Sequence, residues 1–274
     1  MTTQSDSQSR VAAAGHNVFG EDVAAYRDGR PGYPEALFDL LVDECKIGDK
    51  SNVLEIGPGT GQATRRLLDL GVASLTAVEP DPRLAGHLAK EFDSEIRNGG
   101  LKLIVSRFED APLPAESFDA AVAASSFHWV DPETGLARVK TLLRPGGRLA
   151  IWWNVFHDMS GATAWSRAIR PLFDTLVMPP SFVGDSHYSL DVPSRTAELA
   201  QAGFSDIRHT LFRQPVHLTA QKVRAFYASF SPVLRLSPPD RSAWLDRICT
   251  LLDGEFGGAV DHEVLTSLYT CRKA

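Results

Sequence analysis

Cysteine is scarce in this sequence: Cys45, Cys249 and Cys271 stand far apart and never form a CxxC pair. That pattern argues against a disulfide framework or a cysteine-held zinc ion and reads as reduced thiols in the cytoplasm. The histidines show neither HExxH nor any other zinc spacing, so no metal is expected. A GxSxG nucleophile elbow is missing, which speaks against a hydrolase. No uncharged apolar run reaches the about 18 residues a membrane span needs. The opening MTTQSDSQSRVAAAGHNVF lacks the basic and then apolar order of a secretory signal. Basic residues are outnumbered, 28 against 34 acidic ones, for a net charge of −6, and come as scattered pairs such as Arg65-Arg66. A nucleic-acid partner needs a dense basic face to neutralise phosphates, so the expected partner is something small.

What the chain does have is 274 residues, 43% of them apolar, enough for one large α/β domain. Residues 1–18 read as a polar, flexible tail and 19–274 as the folded part, with a core at 48–155. A helix runs from Pro34 to about Cys45. Strands are expected at 52–56, 74–79, 101–105, 118–124 and 147–154, with helices at 60–70, 82–92 and 131–143. Strands and helices alternating in such short steps imply a parallel, doubly wound sheet. The stretch 156–192 is less regular and reads as an inserted helix and loop. Helix 194–202, a sixth strand in DIRHTLFRQPV, helices at 219–230 and 239–253, and a last strand in EVLTSLYTCRK complete the chain.

Between the first strand and its helix lies VLEIGPGTGQ, with Gly57, Gly59 and Gly61 at alternate positions. Glycine there permits φ > 0 and close approach of a ligand to the backbone. The helix start adds unpaired N–H donors for an anion. The dinucleotide fingerprint is GxGxxG, whereas this loop is GxGxG with Gln62 where the third glycine would fall. An NAD-type oxidoreductase is thereby weakened, and a plain tight turn remains open. Glu79, in AVEPD at the end of the second strand, stands where an acid reaches the two hydroxyls of a ribose. Asp81, just before Pro82, suits capping of the next helix. After the third strand, RFEDAPLPAESFD can offer backbone N–H groups and a carboxylate to an adenine edge, with Phe108 flanking the ring.

In series, VLEIGPGTGQ, AVEPD, FEDAPLPAESFD and LLRPGGRLAIWWN resemble the class I S-adenosylmethionine-dependent methyltransferases. With FG…Y…RPGYP and FHW, the chain is more closely similar to their small-molecule branch, methyltransferase type 11. The resemblance implies a Rossmann-like, seven-stranded, mostly parallel sheet with an antiparallel last strand. It also implies helical insertions on the acceptor side, about 156–192 and 219–253. S-adenosylmethionine would be the cofactor and S-adenosylhomocysteine the product. Its contacts would lie near Glu55, Gly57, Gly59, Gly61, Glu79, Asp81, Phe108 and Glu109, with Ala124 covering the adenosine from the other side. The N-terminal element would lie over the methionine end, where Tyr26 and Arg30 are the candidates. Arg30 suits the methionine carboxylate by charge-assisted hydrogen bonds, with cementing of a surface turn as its alternative role.

Methyl transfer from a sulfonium is an in-line displacement, for which the protein supplies alignment and, where needed, removal of a proton. A carboxylate acceptor needs no base, whereas a phenol or hydroxyl would profit from one. His128, in SSFHWVD just past the fourth strand, sits where open α/β sheets bind ligands. It is read as a base, as a positioning group or as a satisfied turn histidine, with Trp129 as an apolar wall. Trp153, Asn154 and His157 form a second acceptor-side group. Neighbouring strand residues face opposite ways, so at least one of Trp152 and Trp153 belongs to the core. Where amino-methyltransferases of nucleic-acid bases carry an Asn/Asp-Pro-Pro-aromatic motif, this chain has SSFHW. No cysteine follows a proline, as the carbon methyltransferases of cytosine require. The expected activity is therefore methylation of a small organic molecule, with oxygen as the preferred acceptor atom. The rivals are an NAD-type oxidoreductase and a non-catalytic relative that binds the cofactor as a partner or regulatory protein.

Overall fold

The structure, a computed structural model, describes residues 30–156, 163–179, 181–183 and 186–274. Tyr26, His157 and the 1–18 tail lie outside the described residues. Helix α1 (Glu35–Cys45) precedes β1 (Asn52–Ile56), α2 (Gln62–Asp69), β2 (Ser74–Glu79), α3 (Pro82–Glu91), α4 (Asp93–Arg97) and β3 (Leu101–Val105). Then come β4 (Phe118–Ala124), α5 (Pro132–Leu142), β5 (Leu143–Val155) and α6 (Ala164–Phe173). Two short strands, β6 (Phe182–Val183) and β7 (Ser186–His187), lead to α7 (Val192–Gln201) and β8 (Phe204–Thr219). Helices α8 (Ala220–Ala228), α9 (Ser231–Leu234) and α10 (Pro238–Phe256) precede the last strand, β9 (Ala259–Lys273).

Strands β1, β2 and β4 are short and largely buried, as strands covered by helices on both faces must be, whereas the edge strand β3 is partly exposed. They form one mixed seven-stranded sheet of order β3-β2-β1-β4-β5-β9-β8, whose last strand runs antiparallel to the parallel β1–β5. Val53 of β1 pairs with Leu75 of β2 on one side and with Ala120 of β4 on the other. The chain thus winds outward from β1 through β2 to β3, then returns to β4 on the opposite side. That reversal is the topological switch point, and open α/β sheets bind their ligands beyond the carboxyl ends of the strands there.

The fifth strand begins at Leu143, ahead of the expected 147. Its register against β4 shifts between Phe118 and Ala120, so the RPGG sequence is absorbed as a bulge within one long strand. Helix α4 was not foreseen. Pro82 at the start of α3 and the side chain of Asp81, which accepts Arg83 N–H at 2.8 Å, fix that helix's first turn.

The chain divides into two compact units. One comprises Tyr33–Asn154, Asp191–Phe212 and Thr266–Ala274. Its core includes Leu37, Phe38, Val53, Leu67, Val122 and Trp152. The other includes Val155–Leu190 and Arg213–Leu265. Its core is aromatic: Trp165, Phe173, Phe226 and Tyr227 are buried, with the Trp165 indole N–H donating to the Tyr227 hydroxyl at 2.9 Å. Among the described residues no helix is long and apolar enough to cross a membrane.

Candidate active site

Beyond Ile56 the chain turns through Gly57, Gly59 and Gly61 at φ values of 66°, 60° and 83°. Only glycine occupies that left-handed region freely. The three positions need glycine for different reasons. A Cβ on Gly57 would stand 2.6 Å from the Cβ of Ser126, in the loop after β4. One on Gly61 would stand 2.6 Å from the Phe92 ring, and one on Gly59 would meet nothing within 4 Å. Gly57 therefore lets the ends of β1 and β4 close up, and Gly61 lets the start of α2 pack beside Phe92. Gly59 leaves its side of the backbone open.

Two buried acids stand beside this loop. Glu79 is 3% exposed and accepts the N–H groups of Gly59 at 3.0 Å and Asp81 at 2.9 Å. Burial pushes its carboxyl up to about 7, against the pull of those two N–H donors. Glu55 is fully buried, and its Oε2 accepts the Thr64 hydroxyl at 2.7 Å, while its Oε1 has no protein partner. Burial pushes it up to about 8, the Thr64 bond opposes this, and the neighbouring Glu79 adds to it. Asp81 behaves differently. The hydrogen bonds from Arg83 hold it below the usual carboxylate range, and it serves as the α3 cap. The capping role expected of Asp81 is visible in these bonds.

The two raised carboxyls set a pH dependence. In the folded chain both hold protons that the unfolded chain has already released, so their contribution to stability is present below about 4.5. It is lost as pH rises through about 7 and about 8. His187, held well below the usual histidine value by burial, works in the opposite sense, but only below the ordinary histidine range. The denaturant midpoint is therefore expected to fall between pH of about 6.5 and 8.5, and Glu55→Gln to flatten that fall. A midpoint that rises over this interval would contradict the assignment.

The turn after β3 is a 3-10 helix, Phe108–Asp110. Phe108, expected to flank a ligand ring, is 4% exposed, with the Arg138 guanidinium 5.5 Å over its ring. Arg138 also donates to the carbonyls of Phe108, at 2.8 Å, and Ala111. Phe108 is thus a packing residue that shapes the turn. Arg138, from helix α5, holds that shape. Glu109 is half-buried and pairs with Arg107 at 3.1 Å.

Past Ala124, Ser125 adopts φ 54°, a strained conformation for a residue with a side chain. It is held there by its own N–H on the Trp152 carbonyl at 2.7 Å. Its Oγ also accepts the Tyr33 hydroxyl at 3.3 Å and the Asn154 N–H at 3.4 Å. The next residue, Ser126, donates its hydroxyl to the Ile56 carbonyl, tying this loop to β1. His128 and Trp129 follow in a 3-10 turn with their rings 4.6 Å apart. The Trp153 indole N–H donates to His128 Nδ1 at 3.1 Å. Trp152 and Trp153 are both buried and belong to opposite faces. Trp152 lies edge-on to Tyr33, and Trp153 edge-on to Tyr269. Asn154 is committed to the sheet, its Oδ1 accepting the Thr266 hydroxyl at 2.6 Å.

The structure thus gathers Glu55, Gly57, Gly59, Gly61, Glu79 and Asp81 at the ends of β1 and β2. It gathers Ala124, His128, Trp129, Trp153 and Asn154 at the ends of β4 and β5. Arg30 belongs to the other unit. There its guanidinium donates to the Ser229 carbonyl at 3.0 Å and lies 4.9 Å over the Phe156 ring. Tyr33, Ser125 and Ser126 were not anticipated as site residues.

Residues 54–151 match the methyltransferase domain family. An uncharacterized methyltransferase of Schizosaccharomyces pombe is 27% identical over 262 residues, 93% of this chain and 97% of that protein. One from Mycobacterium bovis is 33% identical over 172 residues, 60% of this chain and 65% of its own length. Among solved structures, the YcgJ protein of Bacillus subtilis superposes with a TM-score of 0.58 at 16% identity, covering 88% of this chain and 99% of that one. None of these matches supports the NAD-type alternative. With a glycine loop at the switch point and an acid closing the second strand, the chain carries a methyltransferase domain match at residues 54–151 and is similar to uncharacterized methyltransferases over most of its length.

Proposed function

We propose that this methyltransferase acts on an oxygen atom of a small organic molecule, in the cytoplasm, with its cofactor held by the glycine loop and the two buried acids. The observation that carries the cofactor reading is the bond from Gly59 N–H to Glu79, which joins loop and acid into one preorganised site. The residues present fit S-adenosylmethionine. Glu79 keeps a further lone pair on each oxygen for the two ribose hydroxyls. The unpartnered Oε1 of Glu55 offers a buried hydrogen-bond acceptor to the ammonium of the amino-acid end, whose positive charge would favour the ionised form of that carboxyl. Gly59 leaves the open backbone face that such a ligand needs. Asp81, carried over from the family as a contact, acts here by fixing α3 and the turn that bears Glu79.

When bound, S-adenosylmethionine supplies an activated methyl group. The chain contributes alignment and exclusion of water. The turn at Phe108–Asp110, braced by Arg138, presents its backbone to the adenine side, with Ala124 opposite. Trp129 and Trp153 supply apolar surface around His128. A net charge of −6 and the scattered basic residues favour a small acceptor over RNA or DNA.

A direct test incubates the full-length chain with methyl-labelled S-adenosylmethionine and, separately, a small-metabolite extract, total RNA and total protein. Label is expected in the small-metabolite fraction, on base-labile or acid-stable O-methyl groups. Label in RNA alone would overturn the acceptor class. No label anywhere despite tight binding of S-adenosylhomocysteine would favour the non-catalytic reading.

A further inference from the structure

Glu55 and Glu79 stand close enough for the charge of one to act on the other, and the structure equips them unequally. Each oxygen of Glu79 accepts a backbone N–H, from Gly59 at 3.0 Å and from Asp81 at 2.9 Å. Glu55 has one donor, the Thr64 hydroxyl 2.7 Å from Oε2, while its buried Oε1 has no protein partner. Hydrogen bonds to a carboxylate favour its ionised form, and a buried charged oxygen without a donor is costly. As pH rises, Glu79 is therefore the first to ionise, and its charge opposes a second one on Glu55. Among the described residues no cation offsets that repulsion. Glu55 pairs with Ala77 in β2 and Val122 in β4, neither of them charged. On α2, Arg65 is paired with Glu95 at 2.7 Å and Arg66 with Glu35, and on α3 Arg83 is paired with Asp81.

We propose that Glu55 is a proton-exchange site positioned by Thr64: near neutral pH the free chain keeps a proton on Glu55, and the ammonium of the cofactor's amino-acid end displaces it, so that cofactor binding releases a proton. This rests on the reading that the amino-acid end lies beside Glu55. The carboxyl O–H bond breaks, its electron pair stays on the oxygen, and the proton passes to the buffer. The charge of the site balances. One carboxylate stands there before binding, and two carboxylates with one ammonium stand there after it. In a buried, low-dielectric setting the ammonium acts on the carboxyl through space as well as by contact. Thr64 matters because its hydroxyl favours the ionised form and so brings the exchange within reach of neutral pH. The order of ionisation agrees with carboxyls pushed up to about 7 for Glu79 and about 8 for Glu55. A ligand that prefers ionised Glu55 gains affinity as pH rises toward about 8 and gains no more above it.

The exchange is read by binding alone. Full-length chain is titrated calorimetrically with S-adenosylhomocysteine at pH of about 7.5, in buffers of different ionisation enthalpy, which counts the protons released. More than about half a proton per ligand is expected, and the Kd is expected to fall about three- to tenfold per pH unit before it levels off near about 8. Methylthioadenosine carries the nucleoside but lacks the amino-acid end, so it is expected to release far less. Glu55→Gln has no carboxyl proton to give, and its binding of S-adenosylhomocysteine is expected to lose the release and most of the pH dependence. Thr64→Val removes the hydroxyl donor at similar volume and is expected to move the levelling of the Kd to higher pH. An unchanged pH profile in Thr64→Val would mean that Thr64 only packs, and would overturn its positioning role. Binding without proton release, an equal release with methylthioadenosine, or a release that persists in Glu55→Gln would overturn the exchange at Glu55. If Glu55→Gln fails to fold, the comparison of the two ligands on the wild type decides alone. Failure of the wild type to bind S-adenosylhomocysteine overturns the underlying functional reading instead.

Discussion

Gly57→Ala is expected to destabilise the chain by about 2–5 kcal/mol and to abolish cofactor binding. A side chain at φ 66° costs about 1–2 kcal/mol. A Cβ 2.6 Å from the Ser126 Cβ adds an overpacking cost of about 1–3 kcal/mol. The Ser126 side chain has little room to yield, because its hydroxyl is bonded to the Ile56 carbonyl. The strain would fall where β1 and β4 part. Gly59→Ala is the control. It carries a similar φ cost without the collision, so it should lose only about 1–2 kcal/mol. Denaturant titration of both variants measures the difference. Equal destabilisation would mean that Ser126 moves aside and that the close approach of the two loops is not required.

Glu79→Ala is expected to weaken S-adenosylhomocysteine binding by about 1–3 kcal/mol, the scale for losing hydrogen bonds to a charged acceptor. That corresponds to a Kd raised roughly 5- to 150-fold. Two losses combine: the acceptor for the ribose hydroxyls disappears, and the N–H groups of Gly59 and Asp81 lose their buried partner. Unchanged affinity would mean that the ribose is held elsewhere. Glu79→Gln should fall between, since the amide oxygen can keep one of the two N–H bonds while its NH2 opposes the other.

The parallel half of the sheet was legible because its strands are short apolar runs bounded by glycine, proline and acid. Strands β2, β3 and β4 fall at the expected residues, and the glycine loop and Glu79 follow from their places at strand ends. What the sequence hid has a common cause. Arg138 reaches Phe108 across 30 residues, Trp153 reaches His128 across 25 and Tyr33 reaches Ser125 across 92. No local spacing records such pairs, so the Arg138 guanidinium over Phe108 was not legible and Tyr33 was passed over. The RPGG stretch carries the signal of a turn. Only its partner strand, with a register shift between Phe118 and Ala120, turns it into a bulge. Arg30 carried two readings, a partner for the methionine carboxylate and the cement of a surface turn. Its charge suits a carboxylate, but in the structure it serves Ser229 and Phe156.

The central claim is that the loop at Gly57–Gly61 and the acids Glu55 and Glu79 form a site for S-adenosylmethionine. Calorimetric titration of the full-length chain with S-adenosylhomocysteine, and separately with NADH, tests it most directly. The account predicts saturable, micromolar binding of S-adenosylhomocysteine that Glu79→Ala weakens, and no binding of NADH. Micromolar binding of NADH with none of S-adenosylhomocysteine would contradict it.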